Sequence, residues 1–293
     1  MNKLDIGKYI ERFVDWLSDT AAPLFRQITI MIDNSVNVLQ ELLGYVPFYM
    51  IIAIVALIAF IIKKKSLGNH KYWQNNIATL IGFPLFCVLG LLLIYWMGFW
   101  EQTMDTFILV LVATLIVLMI GIPLGIWCAY NKKAYAIIRP LLDFMQTMPA
   151  FVYLIPAILF FSVGNVPGVL ATVIFSLPPA VRMTALGIKS VPKEVVEASV
   201  AFGCTRRQTL FKVQMPLAMT TILAGINQVI MLSLSMVVIA SMVGAGGLGE
   251  SVYAGIQQAD VALGFEARLC IVILAIILDR MTQLLGKEKE EQK

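Results

Sequence analysis

Charged side chains are scarce in this chain of 293 residues. Asp, Glu, Lys and Arg together make up 14% of the sequence, against 59% hydrophobic residues and a mean hydropathy of +0.85. Soluble domains are about one quarter charged, so this composition excludes an ordinary soluble globular protein. The formal net charge of +4 is too small to indicate a nucleic-acid-binding protein, and no nucleic-acid partner is expected.

Motifs for metals, disulfides and nucleotides are also missing. No GxxxxGK[ST] motif is present, which argues against an ATP site of the P-loop type. The run 244–249 fits GxGxxG, but it follows an apolar run and no βαβ pattern surrounds it, so it indicates a flexible outer turn. His70 is the only histidine. The cysteines are scattered without a CxxC pair: Cys87, Cys128, Cys204 and Cys270. We therefore expect no cofactor, metal or catalytic residue in this chain.

Long apolar runs recur along the sequence, each near the length that crosses about 30 Å of hydrocarbon. Since the backbone must satisfy its own hydrogen bonds in lipid, each run is predicted to be a helix. The sequence thus predicts an all-α integral membrane protein with about seven transmembrane helices. Their approximate ranges are 46–62, 77–99, 106–130, 141–163, 166–187, 216–243 and 265–285.

Basic residues orient these predicted spans. The connectors 63–71, 131–139 and 188–215 and the tail 286–293 are rich in Lys and Arg, and a seven-span topology places them on one side. The positive-inside rule makes that side cytoplasmic. The prediction is a multi-pass plasma-membrane protein with a cytoplasmic C-terminus and an extracytoplasmic N-terminal tail.

Ionisable residues inside the spans are few and lie near the predicted cytoplasmic ends: Asp143, Arg182, Asp279 and Arg280. A charge at mid-membrane is costly and usually marks ion coupling, so its absence argues against an ion-driven carrier. Either aspartate could pair with Arg182, or these residues could simply anchor helix ends at the interface.

The N-terminal region 1–45 is predicted to form two amphipathic helices. Ile6, Ile10 and Leu17 share an apolar face, while Lys8 and Glu11 lie on the opposite face. An interfacial helix in contact with membrane lipids would have this pattern. A soluble cap packed on a partner is the alternative.

A half-polar, basic stretch at 192–216 separates two apolar runs. Gly203 is a natural left-handed helix stop. Thr205 and Gln208 have the spacing of a capping box for a second helix, and Pro216 is expected to begin the next span. The pattern predicts a helix, a glycine corner and a second helix, a shape suited to docking into a groove of another protein.

This hairpin resembles the cytoplasmic loop of type I ABC importer permeases, with the pattern E-A-A-x3-G-x9-I-x-L-P. The matching positions are Glu197, Ala198, Ser199, Gly203, Val213, Met215 and Pro216, of which Ser199, Val213 and Met215 are conservative departures. The resemblance implies that these residues, with Thr205, couple the spans to a separate cytoplasmic ATPase that binds ATP and Mg. This chain would then be a transport subunit and not an enzyme.

Further stretches resemble the glycine betaine/proline betaine permease subfamily: 141–158, 178–192, 210–249 and 278–283. The resemblance implies a type 1 permease core at 100–285 with its coupling loop at 188–215, preceded by two accessory transmembrane helices at 46–99. It also implies a homodimer with a second permease copy, an extracytoplasmic solute-binding protein, and a betaine cargo taken up under osmotic stress. Choline, carnitine or proline are alternative cargoes, and a secondary carrier without an ATPase is the alternative class.

Prolines in the fourth and fifth spans indicate irregular backbone. Such backbone is tolerated at membrane depth where it is buried or lines a cavity, which favours a discontinuous, pathway-lining segment. The alternative is that the prolines only shape helices and the polar groups bond neighbouring helices. The candidate pathway residues are Gln146, Thr147, Met148, Pro149, Tyr153, Asn227, Gln228 and Ser233.

Overall fold

The structure, a computed structural model, describes residues 6–66 and 77–290. Every regular element within these ranges is helical. His70 and part of the predicted basic connector 63–71 lie outside the described residues. The α-helices in chain order are α1 (Ile6–Gly44), α2 (Phe48–Ser66), α3 (Ile77–Trp96), α4 (Trp100–Tyr130), α5 (Lys132–Thr147), α6 (Leu154–Phe161), α7 (Asn165–Lys189), α8 (Lys193–Ala201), α9 (Arg206–Gln208), α10 (Met215–Ser241), α11 (Leu248–Gln257) and α12 (Val261–Glu290).

The seven predicted apolar runs are mainly helical, but they differ in length, and the fourth run is interrupted at Met148 and Pro149. Four helices are long and apolar enough to cross a membrane: Trp100–Tyr130, Asn165–Lys189, Arg206–Ser241 and Val261–Gly286. Two bent pairs, α1 with α2 and α5 with α6, raise the number to six if each pair counts as one span, and α3 is a shorter apolar helix. An all-α membrane protein is therefore confirmed, while the count of seven spans stays a prediction.

The N-terminal region forms one helix, α1, where two were predicted. Pro23 lies inside this 39-residue helix without ending it. Ile32 and Val36 are buried in the same apolar cluster as Val112 and Val117 of α4. The second half of α1 therefore packs on the helical core, and the chain then turns by 101° into α2.

Helix α7 is held between α4 and α10 by glycines on both neighbours. A Cβ atom built at Gly125 of α4 would lie 2.6 Å from the Cβ of Thr184, and one at Gly121 would lie 2.6 Å from the Cβ of Ala180. On the other side, a Cβ at Gly225 of α10 would lie 2.6 Å from the Cβ of Met183. Small residues permit this close approach. In lipid the hydrophobic effect does not drive helices together, so close van der Waals packing contributes much of their association.

A second apolar cluster joins the two predicted accessory helices to the C-terminal part of the chain. Ile52 of α2 and Cys87 and Ile94 of α3 are buried in it together with Val252 of α11 and Cys270 of α12. The accessory helices thus pack on α11 and α12, whereas α1 packs on α4.

The glycine-rich run forms a turn between α10 and α11, as predicted, with left-handed φ angles of 82° at Gly244 and 92° at Gly247. It is tied at two points: the Leu248 N–H donates to the Thr106 hydroxyl at 2.8 Å, and the Gly246 N–H donates to the Asn165 side chain at 3.2 Å. These bonds place the turn beside the first residues of α4 and α7 and argue against a freely flexible loop. We call this the glycine-turn end, and the opposite end, with residues 190–214, the hairpin end.

Candidate functional site

The hairpin at 190–214 has the local structure that its sequence predicts. Its first helix, α8, ends before Gly203, whose φ of 81° is left-handed. Thr205 and Gln208 then form a reciprocal capping box: the Thr205 N–H donates to Gln208 Oε1 at 2.8 Å, and the Gln208 N–H donates to Thr205 Oγ1 at 3.4 Å. No atom lies within 4 Å of a Cβ built at Gly203, so glycine is required there by conformation and not by space.

The second arm of the hairpin does not stop before the next span. Residues Arg206–Ser241 form one continuous helical unit, in which the π-helical turn Thr209–Gln214 connects α9 to α10. Pro216 was predicted to begin a new span, but it lies in the first turn of α10 after this widened turn. Proline is tolerated there because the widened turn before it accommodates the proline ring and the hydrogen bond that Pro216 cannot donate.

The outer surface of the hairpin is apolar at its corner and charged around it. Phe202, the residue before Gly203, is 90% exposed, and Phe211 on the second arm is 63% exposed. Glu197 and Ala198 are exposed as well. Large apolar side chains left uncovered among charged residues are typical of surfaces that bind a protein partner or a membrane.

The inner side of the hairpin is fixed to the bundle. Ser199 and Thr209 are buried, and their hydroxyl oxygens lie 3.2 Å apart, which joins the two arms. The family pattern has alanine at the position of Ser199, and alanine has no hydroxyl group to make this contact. Val213 is half-buried, and the neighbouring Met215 packs against a buried cluster that includes Ile188.

The predicted irregular backbone is present in the fourth span, whereas the prediction was wrong for the fifth span, because α7 continues as one helix through Pro178 and Pro179. Helix α5 ends at Thr147, and Met148 and Pro149 are extended, with ψ angles of 139° and 136°. A 3₁₀ turn, Ala150–Tyr153, then leads into α6, which is bent by 107° from α5. Proline disfavours a helical conformation in the residue before it, which explains why the break falls at Met148. We call residues 132–161 the broken segment.

Polar contacts surround this break. Arg182 of α7 donates to Asp143 Oδ1 at 2.5 Å and to Gln146 Oε1 at 2.6 Å. Asp143 is therefore the aspartate that pairs with Arg182, one of the two possibilities open from the sequence. The Tyr153 hydroxyl donates across the break to the Met145 carbonyl oxygen at 2.5 Å, and Thr147 is exposed beside it. The five candidate residues between 146 and 153 thus lie around one irregular segment.

Asn227, the first of the α10 candidates, contacts α12. Its Nδ2 donates to Asp279 Oδ1 at 2.7 Å, and its Oδ1 accepts from the Thr282 hydroxyl at 2.5 Å. Gln283 also donates to both carboxylate oxygens of Asp279 at 2.8 Å. The sequence identified Asp279 as an ionisable residue and 278–283 as part of the family resemblance, but it did not predict a polar cluster of Asp279, Thr282 and Gln283. Their i, i+3, i+4 spacing in an apolar helix was the available signal.

The other two α10 candidates differ in exposure. Ser233 is 1% exposed, and its hydroxyl oxygen lies 3.4 Å from that of Ser176 in α7. Gln228 is exposed. Asn227 and Ser233 thus hydrogen-bond to neighbouring helices, as in the alternative in which the polar groups only join helices. The side chain of Gln228 instead faces outward.

A family described as the binding-protein-dependent transport system inner membrane component matches residues 121–290, a range that includes the broken segment and the hairpin. The chain belongs to this family. The glycine betaine transport system permease protein OpuAB of Bacillus subtilis is 46% identical over 290 residues, which are 99% of this chain and 97% of that protein. The resemblance seen in the sequence is therefore confirmed.

Two other relatives match along almost the whole chain. The glycine betaine/proline betaine transport system permease protein ProW of Escherichia coli is 46% identical over 289 residues, covering 99% of this chain and 77% of that protein. The glycine betaine/carnitine transport permease protein GbuB of Listeria monocytogenes is 47% identical over 289 residues, covering 99% and 98%.

The fold is also found in a solved transporter. A chain of the MetNI methionine ABC transporter, in an inward-facing conformation, superposes with a TM-score of 0.59. The match covers 63% of this chain and 93% of that one, at 21% identity. At such low identity the likeness concerns the fold alone, and it confirms the predicted type I ABC importer permease fold.

Proposed function

We propose that this chain is the membrane-spanning subunit of an ATP-driven importer for glycine betaine or a related compatible solute. The observation that carries the proposal is the identity of 46–47% over 99% of the chain with three permeases named for glycine betaine transport. Similarity that extends from α1 to α12 covers the bundle, the break and the hairpin together. It is therefore stronger support than a match to the shared permease core alone.

In this proposal, ATP hydrolysis takes place in a separate cytoplasmic ATPase, which binds ATP and Mg and docks on the hairpin. The exposed Phe202 and Phe211 support a docking role, because aromatic side chains often dominate the binding energy of protein interfaces. Gly203 and the Thr205 capping box fix the corner that presents them. Closure of the ATPase then moves the hairpin and, with it, α10.

The other components of the transporter complex are proposed on the basis of the same similarity. Two copies of the chain form the pathway between them, an extracytoplasmic binding protein delivers the solute, and lipids contact α1. The hairpin end and the C-terminus face the cytoplasm. Among the pathway candidates, the broken segment with Gln146 and Thr147 and the outward-facing Gln228 have the exposure that contact with a passing solute requires.

A second candidate function is an ATP-driven importer of the same architecture with another cargo. One relative is named for carnitine as well as glycine betaine, and the trimethylamine N-oxide transport system permease protein TmoV of Ruegeria pomeroyi is 43% identical over 186 residues. Choline and proline are further cargoes of similar size. An ion-coupled carrier is disfavoured because Asp143 and Arg182 pair with each other and Asp279 accepts hydrogen bonds from amide side chains, with Arg182 and Asp279 toward the hairpin end of their helices.

The test is uptake of labelled glycine betaine at high osmolarity, in a host that lacks its own betaine uptake and expresses the permease with its ATPase and binding protein. We expect uptake that persists after an ionophore collapses ion gradients. Phe202→Ala should lower uptake about tenfold or more, as loss of an interface hot spot does. The matched control is Phe265→Ala, which removes an equally large, exposed side chain from the first turns of α12.

Each other outcome corrects a specific part of the proposal. Uptake that stops with the ionophore would identify a secondary carrier. Uptake of carnitine or choline but not of glycine betaine would change the cargo and leave the architecture. Equal effects of the two phenylalanine variants would show that the hairpin surface is not the ATPase-docking site.

A further inference from the structure

The π-helical turn Thr209–Gln214 lies at the point where the hairpin becomes α10. At its end, the Met215 N–H donates to the Leu210 carbonyl oxygen five residues back. Pro216 follows and has no N–H, so the regular α-helical bond to the Lys212 carbonyl four residues back cannot form. The widened turn is therefore built into the sequence, and such turns occur frequently at functional sites.

Side-chain hydrogen bonds hold this turn at both ends. Its first residue, Thr209, contacts Ser199 of α8, and its last residue, Gln214, accepts a hydrogen bond from the hydroxyl of Tyr130. Thr209 and Gln214 are both buried, and Tyr130 is the last residue of α4. One end of the turn is thus joined to the first arm of the hairpin, and the other end to a different span.

The Tyr130–Gln214 bond depends on the widened form of the turn. A π turn holds one residue more than regular α-helix, so closing it would rotate one side of the helix against the other by about 100°. Gln214 would then lose its orientation toward Tyr130. A hydrogen bond that exists in one form of the turn favours that form over the other.

We propose that the widened turn is the joint through which motion of the hairpin reaches the spans, and that Tyr130 and Gln214 are positioning residues that keep α4 in register with it. This inference rests on the proposed function, since an ATPase must move the hairpin. Helix α10 moves with the hairpin because the two are continuous. The Tyr130–Gln214 bond passes the same motion to α4, which is packed on α7 through Gly121 and Gly125.

The experiment uses the complete complex of permease, ATPase and binding protein in proteoliposomes. ATP hydrolysis and glycine betaine uptake are measured for Tyr130→Phe, Gln214→Leu and the double variant. We expect the number of solute molecules taken up per ATP to fall about fivefold in each variant, because the loss of one hydrogen bond changes an equilibrium constant by about that factor. The double variant should fall no further, because both changes remove the same bond.

The control is Tyr135→Phe, which removes a tyrosine hydroxyl at the same end and keeps the ring that contacts Lys189. Its transport ratio should equal that of the wild type. Equal losses of hydrolysis and uptake in Tyr130→Phe, with an unchanged ratio, would overturn the inference. The inference would also be overturned if the fold-decrease of the transport ratio in the double variant equalled the product of the two single decreases, since the residues would then act separately.

A second measurement does not depend on the cargo. Hydrogen exchange in the last turns of α4 is compared with and without ATP in the assembled complex. We expect an ATP-dependent change in the wild type that disappears in Gln214→Leu. Absence of that change in the wild type, or its persistence in the variant, would overturn the inference. A failure of betaine uptake alone would instead contradict only the proposed cargo.

Discussion

The guanidinium of Arg182 in α7 lies 2.5 Å from the carboxylate of Asp143 in α5, one turn before the chain breaks at Met148. The two side chains are 33% and 52% exposed, so solvent screens their attraction. An ion pair in such a setting contributes at most about 1 kcal/mol. Its main effect is to fix the end of α5, and with it the start of the irregular backbone, against α7.

Reversing the charges of this pair tests that positioning role. Asp143→Arg would place three cations together, since Arg139 lies 3.9 Å from Asp143, and we expect lower uptake with a loss of unfolding free energy below about 1 kcal/mol. Adding Arg182→Asp should restore the pair and most of the uptake. The measurements are uptake and thermal unfolding of the purified permease. A double variant no better than Asp143→Arg would count against the role.

The glycine contacts predict different effects for a substitution in α4, which packs closely on α7, and a substitution in α3. Gly125→Ala places a Cβ 2.6 Å from Thr184, and overpacking of this kind costs about 1–3 kcal/mol. Gly82→Ala in α3 meets no atom within 4 Å and should be neutral or stabilising by up to about 1 kcal/mol, the difference in helix propensity. Thermal unfolding in detergent distinguishes them. Equal stability of the two variants would contradict the close approach.

The contact between Asn227 and Asp279 predicts energetic coupling between α10 and α12. Asn227→Leu and Asp279→Leu should each destabilise the bundle by about 1–3 kcal/mol, because each removes a hydrogen bond between an amide and a charged carboxylate. The double variant should be less destabilised than the sum, with a coupling energy of about 0.5–3 kcal/mol. Additive effects would mean that the two residues act independently.

Native cysteines provide a test of topology that needs no introduced cysteine. Cys204, next to the hairpin corner, is half-exposed, whereas Cys87, Cys128 and Cys270 are buried. A membrane-impermeant maleimide should label Cys204 in inverted vesicles but not in intact cells, and assembly with the ATPase should slow the labelling. Cys204→Ser is the control that should abolish it. Labelling of intact cells would place the hairpin outside.

Sequence reasoning succeeded where structure is determined by neighbours along the chain. The capping box of Thr205 and Gln208 and the left-handed Gly203 depend on residues within one or two turns, and all are present as predicted. The break before Pro149 follows from the same kind of local restriction. The family could also be recognised, because the hairpin pattern has fixed spacing.

Contacts between distant segments could not be read from the sequence in the same way. Asn227 and Ser233 are polar residues in one apolar helix. Helical periodicity predicts the face of the helix on which each lies, but it does not predict their partners, Asp279 and Ser176. Helix α11 was missed because it follows directly on a glycine-rich turn. Helix α1 continues through Pro23 because packing of its second half on α4 outweighs the local tendency of proline to end a helix.

The glycine contacts at Gly121 and Gly125 leave no room for α4 and α7 to approach further, and any separation would open a void along both helices. The two helices therefore form an internal reference frame for spectroscopy. Spin labels at exposed positions such as Leu115 on α4 and Leu186 on α7 are therefore expected to report a distance that stays constant through the transport cycle. Changes in the distance from either label to the hairpin or the broken segment would then measure the movement of that segment relative to the pair of α4 and α7.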